Sequence, residues 1–527
     1  MSIRLLLSPV SIRQRLLLVC GLLVTGYGHG QTVGPDFIVT TELLVQTGQP
    51  APDGNGVFSD TILFPVLNDA GQVLVWANLL ATTDPGPLDD WGFFVADGNG
   101  MNKVLRGGEP SADGNLLRLD IAAVAANTPQ FNRPYGIDAS GRLVVAAPDN
   151  VGQVAVYRGD GSNIELLVQE GDVVGAGNVA NIAAFLPLTM QANDPGEISF
   201  ISDIVVDGVP QQFGILRAGD SALTPLLLSG QLLPDGRTVA NIAFQNATLN
   251  NNGRAAAALN TQGSGFNVGI YASDGVDVVK MLHTGEPAPD GLGTLIAGVG
   301  LAAQQNNLGQ MLTLFNVDDI TQDYLGLFQG DGVTLAEVGR TGGTAPTGTI
   351  FNFTGDVRIN DNDTLVYGAV VSTSLGNVQQ LLMRRGGATI PIVSAFDMLP
   401  EPIGLEVRDP FTFALNEQDQ VMFTAFVIAE GLGREALFLF DPEFGLALVA
   451  RTGQPFAGDV LADIEVALPF FPNTMRYTHN AQNAFNNLGQ QAFYYRLQNG
   501  LAGVALASTE FIPDKSDLLF RDGFETL

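Results

Sequence analysis

The chain has one cysteine in 527 residues, two tryptophans, three histidines, and only 24 lysines and arginines against 54 aspartates and glutamates. Each scarcity excludes something. With Cys20 as the single thiol, neither an internal disulfide nor a multi-cysteine metal site can hold the fold. The net charge of -30 repels phosphate backbones and anionic headgroups, which argues against nucleic acid and membrane surfaces as partners. No run of 18 apolar residues follows the first thirty, so no transmembrane helix is expected. Neither His-Glu-x-x-His nor Gly-x-Ser-x-Gly occurs, nor a phosphate-cradling glycine loop followed by lysine. Charged residues are few at 15%, but apolar ones reach 46%, which excludes a disordered chain.

What is present begins with a leader. Arg4, Arg13 and Arg15 precede the apolar run from Leu16 to Val24, and the small residues Gly28 and Gly30 suit a signal peptidase. Residues 1–30 therefore read as a signal peptide cleaved near Gly30, and the mature protein as secreted or held at the cell surface. Val19 before Cys20 departs from the Gly or Ala that an acylated lipoprotein signal wants. Losing the leader with its three arginines brings the net charge to -33.

Gly 63 and Pro 28 favour many short elements joined by tight turns. A period orders them. The turn Asn-x-x-Gly, followed by an apolar strand, opens at Asn68, Asp138, Asn193, Asn250, Asn306, Asn360, Asn416 and Asn486, with spacings of 70, 55, 57, 56, 54, 56 and 70. A glycine marker keeps the same phase at Gly48, Gly108, Gly171, Gly230, Gly285, Gly342 and Gly453, with Phe396-Asp397 standing in once. Asp-Gly recurs at Asp97, Asp160, Asp274 and Asp331. Asn, Asp and Gly tolerate left-handed backbone, so these turns join antiparallel neighbours. Between the markers lie four apolar runs of strand length per unit, several too continuous for one solvated face.

Four-stranded sheets repeated eight times, covered on both faces, predict an all-β fold: a single β-propeller over residues 31–508, most consistently of eight four-stranded blades. Seven blades, two smaller propellers or an open array are the alternatives. Residues 41–46 read as a last-position strand with no unit before them, so the N-terminal strand should complete the last blade. Residues 509–527 form a C-terminal tail.

The unit resembles the tandem Asn-x-x-Gly-x-x-Ala-Phe repeat family of bacterial exported and surface proteins, matched in full by Asn486, Gly489, Ala492 and Phe493. Leu74-Val75 replaces Ala-Phe in the first unit, and Asp363 and Asp419 replace Gly in the sixth and seventh. That resemblance implies export and repetitive β structure, and it carries no catalytic residue. The tail motif Phe520-Arg-Asp-Gly-Phe-Glu525 is similar to short terminal tails on diverse secreted bacterial proteins.

Chemistry is thin. His283, at a strand end, reads as a solvated edge residue. Acidic turns such as Asp53-Gly-Asn-Gly56 do not match a calcium loop, and turn geometry explains them without metal; no cofactor is assigned, calcium being the one ion weighed. The insertions say more. The stretch from the glycine marker to the Asn turn lengthens in the second and eighth units, and the first unit extends residues 81–91. On ring closure these three should share one face and one sector, gathering Asp89, Asp90, Trp91, Arg133, Tyr135, Arg476, Tyr477 and His479 as a ligand-binding patch. The expected function is a noncatalytic scaffold binding a cell-surface polymer or protein. The alternatives are a propeller-type enzyme (glycan hydrolase, lyase or quinone-dependent dehydrogenase) and a structural surface-layer component.

Overall fold

The computed structural model describes residues 36–512, apart from 64, 84–88, 111–113, 121–134, 176, 183–190, 207–208, 220–222, 264–266, 292, 297–303, 320 and 467–481. Residues 1–30, expected as a leader, and residues 513–527 of the tail expected over 509–527 lie outside the described residues, while 509–512 belong to the strand Ala502–Ile512.

Eight antiparallel sheets follow one another along the chain, and each is a blade. Blade 4 shows the plan: Val239–Leu249 pairs with Ala255–Thr261, then Val268–Ser273, then Val278–His283. The first strand is innermost and the last outermost. Middle strands have no solvated face. Val268–Ser273 is buried at every residue, as is Leu143–Pro148 of blade 2, which is why their apolar residues run consecutively.

Burial falls between blades. One hydrophobic cluster fills each of the eight seams; that between blades 4 and 5 joins Ile270 and Leu282 to Phe315 and Phe328. The seam between blades 8 and 1 packs Val504 and Tyr494 on Phe58 and Val75. A filled eighth seam closes the ring, so the eight-bladed propeller stands and the open array does not.

Closure is also made by pairing. The N-terminal strand Asp36–Gln46 lies antiparallel on Ala502–Ile512, from Asp36 against Ile512 to Gln46 against Gly503, and forms the outermost strand of blade 8. The expected last-position strand is therefore in place.

One expectation is corrected. Sharing one face with the extended residues 81–91 requires the second and eighth insertions to lie in the connection entering the innermost strand, but the stretches that carry them divide that strand. In blade 8 its first half, Asp459–Glu465, pairs with Gln490–Leu497, and the chain bridges the same strand again only at Phe485. In blade 2 the bridge from Leu117 to Asp149 precedes the gap and Tyr135–Ile137 follows it. Marker spacing counts residues but does not say where along a strand they are added.

Candidate functional site

The eight Asn turns meet around the propeller axis, and their side chains connect them. In each unit the Asn Oδ1 accepts backbone N–H groups of its own turn, as Asn416 does from Gln418 and Gln420 at 3.0 and 2.9 Å. Its amide then reaches the next blade. Nδ2 donates to the carbonyl of the following turn from Asn68 to Asp138, Asn193 to Asn250, Asn250 to Asn306, Asn306 to Asn360, Asn360 to Asn416, Asn416 to Asn486 and Asn486 back to Asn68, at 2.8–3.1 Å. Asp138 has no amide to give, and the backbone N–H of Ala139 bonds to the Asp194 carbonyl at 3.0 Å instead. The Asp138 carboxylate is held by Arg142 at 2.6 Å.

The next residue of each turn builds a second ring. Asp69 accepts the Asn487 N–H, Asn251 that of Asp194, Asn307 that of Asn251, Asp361 that of Asn307, Glu417 that of Asp361, and Asn487 that of Glu417, at 2.6–3.0 Å. Ala139 breaks this ring too. Four carboxylates therefore crowd one mouth of the axis. Burial, then repulsion from Asp69, raises the Asp194 carboxyl above its ordinary range. Glu417 is raised by burial against the pull of the Asp361 N–H, with Asp361, Asp419 and Asp69 adding repulsion. The sequence showed the turns but hid these roles, because an Asx turn alone already favours Asn at the first position. The signal for the second ring was an oxygen-bearing side chain after Asn in every unit but one.

A second polar group lies on the seam of blades 8 and 1. Asp463 and Glu465 of the innermost strand stand across from Arg496 and Tyr494, whose hydroxyl accepts from Arg496 at 3.1 Å. Burial, then the charges of Asp463 and Glu435, pushes the Glu465 carboxyl up to about 8. Asp60 of blade 1 adds to the field on Arg496. Among the described residues no three His, Cys, Asp or Glu side chains are grouped as a metal site.

Of the eight residues expected to form a recognition patch, Arg133, Arg476, Tyr477 and His479 lie outside the described residues. The other four are engaged in the frame. Asp89 binds Arg106, a buried guanidinium that also holds Asp53, each at 3.0 Å. Asp90 accepts the Thr82 hydroxyl at 2.8 Å. Trp91 and Tyr135 pack with Trp76 and Phe93 in the seam of blades 1 and 2, where Tyr135 is buried. His283 is corrected: it is not solvated but buried, its Nε2 2.9 Å from the Thr261 hydroxyl and its Nδ1 2.7 Å from the Thr284 carbonyl, and burial lowers its pKa.

Among solved structures the chain is similar to one titled "Structure of Dos1 propeller" at 8% identity, with 86% of this chain and 94% of that chain covered and a TM-score of 0.35. The WD40 domain of SCAP from fission yeast matches at 9% identity, covering 89% and 94%, with a TM-score of 0.38. An alpha-l-arabinofuranosidase, arb93a from Fusarium graminearum, in complex with an iminosugar inhibitor, matches at 11% identity, covering 66% and 98%, with a TM-score of 0.25. No curated protein matches the chain. The family model described as "Family of unknown function (DUF7453)" matches residues 38–133 and 123–518. Spanning nearly the whole propeller, that match makes the chain a member of the DUF7453 family.

Proposed function

We propose that this chain is an exported, noncatalytic scaffold that binds an extracellular polymer or protein, and that it is kin to the Asn-x-x-Gly-x-x-Ala-Phe repeat proteins. The observation that carries the reading is the use made of the axial polar side chains. Turn amides and carboxylates bond to backbone groups of the neighbouring blade, so they fix a frame instead of facing a substrate. Function then belongs to the outer surface and to segments added to the frame. The mature chain, offered to immobilised cell-wall glycans, exopolysaccharide and purified surface proteins, should bind at least one saturably and release no product. Self-association without any such binding would overturn the scaffold in favour of a surface-layer role. Alanine at both Arg133 and Arg476 tests those two residues: unchanged binding removes them from the interface.

Glu465 supports one second reading. A carboxyl still protonated at neutral pH, beside Asp463, Arg496 and Tyr494, has the makings of a general acid in a glycan hydrolase. Turnover of a glycan that is lost in Glu465→Gln, with binding retained, would favour the enzyme.

A further inference from the structure

One connection between blades departs from the other seven. In each of those seven, a glycine with φ between 78° and 97° turns the chain from the outermost strand of one blade into the innermost strand of the next. Its N–H bonds to a buried residue of that strand, as Gly342 does to Ile350 and Gly453 to Leu461. Between blades 6 and 7 the position is Phe396, at φ 72°, with its N–H on the Val407 carbonyl at 2.7 Å. A side chain in left-handed backbone is strained where glycine is not. Core packing does not offset that strain, because Phe396 is 54% exposed. Strain held by an exposed aromatic ring points to a use outside folding.

The surroundings define that use. Arg408 lies over the Phe396 ring, 5.3 Å from its centroid, and is held by Glu406 at 3.0 Å. In an antiparallel blade the connections between blades share a face with the hairpins joining second and third strands. On that face Met398 neighbours Phe396, Phe351 opens the innermost strand of blade 6, and Leu375 and Leu432 tip the hairpins of blades 6 and 7, each more than half exposed. Around them Asp397, Glu401 and Glu430 are exposed, against the cations Arg408 and Arg434.

We infer that this face of blades 6 and 7 is a docking surface for a basic, apolar segment of another protein, anchored on Phe396. Aromatic, Met and Arg groups are enriched at interface centres, and an acidic rim selects a cationic partner. The inference rests on the scaffold reading and names its partner class. The probes are three immobilised peptides: one of lysine with leucine and phenylalanine, one with glutamate replacing lysine, and one of lysine with serine. The basic apolar peptide should bind the full mature chain best. Phe396→Gly should weaken it about tenfold or more while keeping or raising the melting temperature, since glycine fits the turn. Val276→Ser and Val333→Ser, exposed on the opposite face, should leave binding unchanged. Equal binding to Phe396→Gly, equal binding of the acidic peptide, or a less stable Phe396→Gly would each overturn the surface. Retained glycan or protein binding in that variant would leave the scaffold standing.

Discussion

Removing the Asn416 side chain takes away four hydrogen bonds at once: two accepted within its turn, one to Gln420 Oε1 and one to the Asn486 carbonyl. The Asn486 carbonyl is buried and the turn groups are only partly so, and Asn416→Ala should therefore cost about 2 kcal/mol by denaturant unfolding. Asn416→Asp should cost more at neutral pH, because it turns a donor into a carboxylate facing a carbonyl. Glu417 next to it behaves oppositely. Its folded carboxyl is raised above the ordinary 4.5, so a penalty grows as pH rises past that value and is absent below it. Glu417→Gln keeps an oxygen for the Asp361 N–H and should therefore stabilise the protein at pH 7, by no more than about 1 kcal/mol, and not at pH 4. Equal effects at both pH values would refute the crowding at the axis. None of this was legible in single residues. The Asn at each turn is legible as a turn former, yet its reach to the next blade depends on ring curvature, which no local pattern carries.

At the scale of elements, blade 2 is the weak member. Asp138 lacks the amide and Ala139 the side-chain oxygen that other turns use, so both rings are interrupted there. Ala139→Asn should supply the missing acceptor for the Asp69 N–H and raise stability by about 1 kcal/mol. Hydrogen exchange at the turns of blades 1 and 2 should slow with it, and unchanged exchange would count against a continuous ring. Strand order and phase were legible because the turn markers recur once per blade. The marker spacing shows the insertions but not that they divide the innermost strand. Trp91 and Tyr135 border long loops in the sequence, and the structure packs both rings against Trp76 in the seam of blades 1 and 2, Tyr135 buried and Trp91 partly so. Phe396 was visible as a substitute for glycine, but its exposure, which makes the substitution informative, was not.

At the scale of the molecule, the scaffold reading and the docking surface both require a closed, rigid ring. Closure was legible from the unpartnered first strand and the incomplete last unit, and the register between Asp36–Gln46 and Ala502–Ile512 gives it a direct measurement. Thr40 and Ser508 are paired across that seam, and the only native thiol, Cys20, lies within the predicted leader. A chain beginning at residue 31 and carrying Thr40→Cys and Ser508→Cys should oxidise to a single intramolecular disulfide, seen as a faster-migrating monomer under non-reducing conditions. Two persistent free thiols, or disulfides formed only between chains, would contradict the closed ring.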